Sequence, residues 1–158
     1  MNDDMVHATA VAVAGNGVLL TGPSGSGKSD LALRLIDRGA KLVSDDAVSI
    51  YLVDGTLMLA TAPNIEGKIE VRGIGICDVD TVSPVPLRLV VDLCPDVERM
   101  PAQCLTTNIR SYDIPYFTLV PFEPSAAIKL EYALRTVIDG GRWPVAMNNS
   151  NEPESIDI

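Results

Sequence analysis

Short apolar runs separated by polar breaks fill the first half of the chain, with one segment of helical period among them. Residues 6–13 alternate small and β-branched side chains, Gly15-Asn16-Gly17 interrupts them, and Val18-Leu19-Leu20 follows, which predicts a hairpin. Asp30-Leu31-Ala32-Leu33-Arg34-Leu35-Ile36 switches to helical spacing and stops at Gly39. Ala40-Lys41-Leu42-Val43-Ser44 predicts another strand, closing on the acidic pair Asp45-Asp46. Residues 48–53 and 56–61 flank Asp54-Gly55, the strongest short-range hairpin signal in the chain. In residues 69–78 the alternation of Ile69 and Val71 with Glu70 and Arg72 puts both charges on one face of a strand, and Gly73 and Gly75 would permit close approach of another backbone. Residues 87–93 are almost continuously apolar, as in a buried strand, and residues 114–120 resume strand character. Between them, residues 94–108 hold Glu98, Arg99 and two prolines without periodicity and read as a loop. Ser125 is placed to cap a last helix that runs to Ile138 and is stopped by Gly140-Gly141. From Pro144 onward the chain is too polar to bury, so the pattern divides it into one domain, 1–143, and a flexible tail, 144–158.

Composition narrows the function classes. With 158 residues and 47% apolar side chains the chain can bury one core of ordinary size. A net charge of −9 leaves no basic face for nucleic acid or an anionic membrane, and aromatics at 4% argue against platforms for stacking bases. No leader and no bilayer-length apolar run is visible, which predicts a cytoplasmic protein. Cys77, Cys94 and Cys104 have neither disulfide nor zinc spacing and read as reduced thiols.

Chemistry concentrates in Gly22-Pro23-Ser24-Gly25-Ser26-Gly27-Lys28-Ser29, which fills every position of the G-x-x-x-x-G-K-[ST] phosphate loop, with a strand before it and a helix after it. Such a loop turns backbone N–H groups inward around phosphate oxygens and adds the helix N-terminus; Lys28 supplies a mobile charge and Ser29 a hydroxyl for Mg²⁺. A nucleoside triphosphate site is the expectation. Asp45 and Asp46 end the strand after the loop helix, where one carboxylate can face a metal and its neighbour can act on a hydroxyl nucleophile; the alternative is an acidic turn. Asp92, near the end of the apolar run, competes for the metal-linked role, but the pair serves metal and nucleophile together. The first hairpin would bring His7, the single histidine, toward the phosphates. By spacing alone, Glu70 and Arg72 are an exposed ion pair or part of a site.

The loop, the strand ending in Leu42-Val43-Ser44-Asp45-Asp46 and the block Glu70-Val71-Arg72-Gly73-Ile74-Gly75-Ile76 together resemble bacterial HPr kinase/phosphorylase. The resemblance runs from His7 through the last helix and corresponds to the catalytic half of longer members. It is similar to the short form of some proteobacteria, in which the N-terminal domain is absent. It implies an α/β P-loop kinase domain with a mixed sheet, like that of phosphoenolpyruvate carboxykinase, and a homo-oligomer, a hexamer. The implied activity is ATP- and Mg²⁺-dependent phosphorylation of a serine of HPr, the phosphocarrier of the sugar phosphotransferase system. Residue by residue it implies catalytic roles for His7, Lys28, Asp46 and Arg99, with Asp46 as the base, and Mg²⁺ coordination by Ser29 and Glu70. Asp45, Arg72, Gly73 and Gly75 would support them. Where longer members carry a Pro-Val-x-x-Gly-Arg stretch associated with dephosphorylation, this chain has Val120-Pro121-Phe122-Glu123-Pro124-Ser125, without the arginine. That departure weighs against phosphorolysis. Two other readings keep the phosphate loop: a small-molecule kinase, which normally needs a lid with arginines, and a nucleotide-binding regulatory module without transfer.

Overall fold

The protein, seen in a computed structural model, is described over residues 4–96, 105–139 and 154–156. After the short strand β1 (Asp4–Val6), the expected first hairpin forms as β2 (Thr9–Val13) and β3 (Asn16–Thr21). Its two turn residues are Ala14 and Gly15, both at positive φ, so Asn16 and Gly17 already belong to the strand. The helix after the phosphate loop is α1 (Lys28–Asp37). It ends at Gly39 as its spacing predicts: Gly39 takes a φ of 108°, and the Ala40 N–H reaches back to the Leu35 carbonyl. The chain returns in β4 (Lys41–Ser44), antiparallel to β2. Next, β5 (Val48–Val53) and β6 (Thr56–Thr61) pair around Asp54-Gly55 as expected.

Two expectations need correction. Residues 69–78 are not one strand but a hairpin, β7 (Lys68–Val71) and β8 (Gly75–Asp78), in which the Ile74 N–H bonds the Val71 carbonyl. Gly73 and Gly75, with φ of 84° and 130°, have open space where a Cβ would stand, so they serve the reversal and not a close backbone approach. The second correction follows β9 (Val85–Leu93): residues 105–108, expected to lie in a loop, form β10 (Leu105–Ile109), which pairs with β11 (Tyr112–Leu119). Arg110 and Ser111 make that turn at positive φ without any glycine, which left no turn signal to read. The last helix, α2 (Ala126–Ile138), starts beside Ser125; that residue accepts from the Lys129 N–H through its carbonyl, and its hydroxyl makes no cap bond. Of the expected tail, residues 154–156 are described, as β12 (Glu154–Ile156), parallel to β10. The rest of the tail, together with Arg99, Cys104 and Gly140-Gly141, lies outside the described residues.

The strands make a mixed sheet in the order β4-β2-β3-β9-β11-β10-β12, in which β3, β9 and β11 run parallel. A second layer, β1-β5-β6, joins it through the first residues of β9. Leu89, Val91 and Leu93 of β9 pack toward α1 and α2 with Val18, Leu20, Leu31, Leu35, Leu130 and Leu134. Val85, Leu87 and Val90 pack to the other face, with Leu19, Ile50, Leu57 and Leu59. The parity changes beside the register shift between β3 and β9, and that irregularity lets one strand serve both layers. Gly17 sits at this junction, where a Cβ would lie 2.6 Å from the Pro86 carbonyl oxygen and 3.1 Å from Leu59. Gly17→Ala is therefore expected to destabilise the fold by about 1–3 kcal/mol in urea unfolding, because the obstruction is backbone. An unchanged midpoint would show that the two layers slide apart at no cost.

Candidate active site

The phosphate loop joins the end of β3 to the start of α1 and wraps the helix N-terminus, where backbone N–H groups face outward without partners in the helix. Lys28 is 6% exposed, and its ammonium donates to the carbonyls of Gly22 (2.7 Å) and Pro23 (3.0 Å). An ammonium has three protons, so the lysine clasps the loop with two and keeps one for an incoming oxygen. Ser26 Oγ is buried and makes no hydrogen bond. A Cβ on Gly22 would stand 2.6 Å from that hydroxyl, so only glycine leaves the cradle open. Pro23, Ser24 and Gly25 form its exposed outer rim.

On one side of the loop, beyond β2, lies the acidic pair at the end of β4, and its two members are treated differently. Asp45 is 8% exposed. Its Oδ1 accepts from Ser29 Oγ at 2.6 Å and from Thr9 Oγ1 at 3.0 Å, and its Oδ2 from the Glu70 backbone N–H at 3.4 Å. The Asp46 side chain is 75% exposed and stands 3.5 Å from His7 Nδ1, also outside the core. Divergence was expected from strand alternation; it arises instead from a tight turn, in which the Ala47 N–H bonds the Asp45 carbonyl and Asp46 holds a φ of 69°. Thr9 fixes this geometry by donating to Asp45 and accepting from the Asp46 N–H at 3.3 Å. An aspartate in the left-handed region stores conformational energy that the surrounding bonds must hold.

Asp45 thus links the loop to β7, and Glu70 comes to the site through its backbone, with its carboxylate exposed at the rim. Arg72 lies just past the end of β7, also exposed, and makes no ion pair with Glu70. The Ser29 hydroxyl, held by Asp45 at 2.6 Å, is an oxygen donor of the kind Mg²⁺ takes, and the exposed Glu70 could supply a carboxylate beside it. No cluster of three or more His, Cys, Asp or Glu is gathered for a metal among the described residues. Mg²⁺ does not require one, since it keeps water and phosphate ligands and takes one or two protein oxygens.

Asp92, the competing acid, occupies the end of β9 opposite Thr21. Thr21 Oγ1 donates to it at 2.9 Å and Tyr116 OH at 3.4 Å, so it is held by neighbours on the strands at either side. Burial, and then the Asp92 charge, push the Tyr116 phenol up to about 12, and the same two causes raise the Cys94 thiol. A phenol whose folded value exceeds its ordinary value of 10.0 contributes stability in full below that value and loses it as pH climbs toward about 12. Tyr116→Phe is expected to flatten the alkaline loss of stability over that window, read from urea midpoints; parallel curves for the two proteins would contradict it.

Thr9, Thr21 and Phe122 were not singled out in the sequence. Phe122 follows β11 and packs on Gly27: the far edge of its ring lies 3.0–3.1 Å from where a Gly27 Cβ would be. Gly27 has a φ of 101°, so helix geometry and this contact both demand glycine there. Arg34 of α1 holds the segment by donating to the carbonyls of Pro121 and, at 3.2 Å, Glu123. Residues 120–125 hold no basic residue of their own, and the arginine that reaches them, Arg34, is bonded to their backbone carbonyls.

A phosphate cradle at the junction of a parallel strand and a helix, with a buried carboxylate behind its serine and an exposed one beside it, defines a P-loop α/β domain built for phosphate chemistry. The HPr Serine kinase C-terminal domain family matches residues 1–129, and the chain belongs to that family. HPr kinase/phosphorylase of Acidovorax sp. is 34% identical over 148 residues, covering 84% of this chain and 46% of the relative. That of Clostridium beijerinckii is 51% identical over 77 residues, 49% of this chain and 26% of the relative. The Hpr(Ser) kinase/phosphatase of Coxiella burnetii, a solved structure, superimposes with a TM-score of 0.70 at 29% identity, covering 87% of this chain and 89% of that one. The chain spans between about a quarter and a half of the length of these two relatives by sequence. No helix among the described residues is long and apolar enough to cross a membrane.

Proposed function

We propose that the protein is an ATP-dependent serine kinase acting on HPr, the protein named in its relatives, in the cytoplasm where both substrates occur. The single observation that carries this reading is the split of the acidic pair: a buried Asp45 bonded to the loop serine, and an exposed Asp46 within reach of a bulky partner. A small substrate could use a buried base; a serine on a folded protein needs one at the surface.

In this reading the loop N–H groups, Lys28 and the free Ser26 hydroxyl bind the polyphosphate, and Ser29 and Glu70, positioned by Asp45, would hold Mg²⁺, which neutralises phosphate charge when bound. The HPr serine presents its hydroxyl to Asp46. As the serine oxygen bonds the terminal phosphorus, its proton passes to the Asp46 carboxylate, the bond to the bridging oxygen breaks, and ADP leaves. His7, with Nδ1 3.5 Å from the Asp46 carboxylate, would orient it. Arg99 would stabilise charge on the phosphoryl group in transit. Reversal would need phosphate to enter as nucleophile, and residues 120–125 offer it no arginine.

Of the arginines weighed for the lid that marks the small-molecule alternative, Arg99 lies outside the described residues. Arg34 is spent on carbonyls, Arg88 bonds Asn16, and Arg110 pairs with Asp4. The test is transfer from γ-labelled ATP to HPr in Mg²⁺ with a mixture of small phosphate acceptors present. Label on HPr is expected; label only on a small acceptor would replace this reading by the small-molecule one, and ATP binding without transfer would replace it by a regulatory module. A single copy by light scattering would remove the hexamer that the family resemblance implies.

A further inference from the structure

We infer that Phe122 is the platform on which the nucleoside base stacks, an inference that rests on the nucleotide reading of the loop. The sheet order makes the argument. Counting outward from β3, which carries the loop, β2 and then β4 with Asp45 and Asp46 lie on one side, and β9 and then β11 with Phe122 lie on the other. A triphosphate whose terminal phosphorus faces the acids must run back across the loop and leave its nucleoside at the opposite flank. There the ring of Phe122 meets Gly27 of the loop.

The ring's situation suits a base. Phe122 is 67% exposed although Cζ and Cε1 at the far edge of its ring rest on Gly27, so most of the residue stays open to solvent beside the loop. Its position is also held on both sides in sequence, because Arg34 bonds the carbonyls of Pro121 and Glu123. A guanidinium spent on two carbonyls flanking a residue fixes the backbone that carries it, which lowers the cost of ordering the ring when a ligand arrives. Stacking reads the π-face and not the base edge, so this contact supplies affinity for adenosine and guanosine nucleotides alike. One ring serves one base, in keeping with a chain whose aromatic content is too low to track nucleic acid.

The experiment compares calorimetric binding of ATP and of inorganic tripolyphosphate, both with Mg²⁺, to wild type, Phe122→Ala and Phe122→Leu. Leucine keeps an apolar contact with Gly27 and removes the π-face. Both variants are expected to weaken ATP by about five- to a hundredfold while tripolyphosphate binds as before. In a Trp143→Phe background, which removes the single native tryptophan, Phe122→Trp should show fluorescence quenched by ATP and not by tripolyphosphate. Equal weakening of ATP and tripolyphosphate in both variants would overturn the inference, since Phe122 would then act only by packing the loop. So would unchanged ATP affinity, including the case in which only the KM for a protein substrate rises. If wild type binds neither compound, the nucleotide reading itself falls and takes this inference with it.

Discussion

Asp46→Asn is expected to lower the rate of phosphoryl transfer by about two orders of magnitude or more, with ATP affinity retained. The size follows from the chemistry: a serine hydroxyl is a poor nucleophile until a base takes its proton, and an amide cannot take it. Retained ATP affinity follows from geometry, because the Asp46 side chain is 75% exposed and is bonded to none of the loop residues. The fold should also survive, since the Thr9 bond is made to the Asp46 backbone N–H and is indifferent to the side chain. The check is single-turnover transfer alongside equilibrium binding of ATP. Loss of binding in step with rate would mean that Asp46 helps to hold the nucleotide and is not the base.

Asp45→Ala is expected to fail differently. The substitution removes one carboxylate that accepts from Thr9, Ser29 and the Glu70 backbone, so three donors lose their acceptor at once. Leaving buried donors unpaired costs about 1–3 kcal/mol of stability. On the proposed mechanism the larger effect is on Mg²⁺, because Asp45 bonds Ser29 and the backbone of Glu70, the two residues proposed to hold it; loss of a group that orients metal ligands typically lowers metal affinity about 10- to 100-fold. The Mg²⁺ concentration for half-maximal transfer should rise accordingly, and excess Mg²⁺ should restore part of the rate to Asp45→Ala but none to Asp46→Asn. If Mg²⁺ dependence is unchanged, Asp45 is a structural clasp only.

What could be read from the sequence was set by local rules, and what escaped it was set by contacts distant in the chain. The phosphate loop, the Asp54-Gly55 hairpin and the stop at Gly39 each depend on a few adjacent residues, and all three formed as expected. Residues 94–108 show no periodicity and hold two prolines, so they read as loop although β10 starts at Leu105, and the turn at Arg110-Ser111 carries no glycine to mark its hairpin. Gly73 and Gly75 read as room for a neighbouring backbone within one strand, because the alternation before them points to a strand; they are instead part of the reversal between β7 and β8. In the site, a pair of neighbouring aspartates suggested divided duties, but which one meets Ser29 depends on Thr9, 36 residues before its partner Asp45, and on β7. Phe122 is the extreme case. Nothing in residues 120–125 announces that a ring there will rest on Gly27, because the contact is created by β11 ending beside β9 and β9 beside β3.

The measurement that bears most directly on the central claim is the intact mass of purified HPr after incubation with this protein, ATP and Mg²⁺, followed by fragmentation to locate any added group. A gain of one phosphoryl group on a serine, abolished by Asp46→Asn, is the predicted result. Unmodified HPr in the presence of folded, ATP-bound protein would contradict the account.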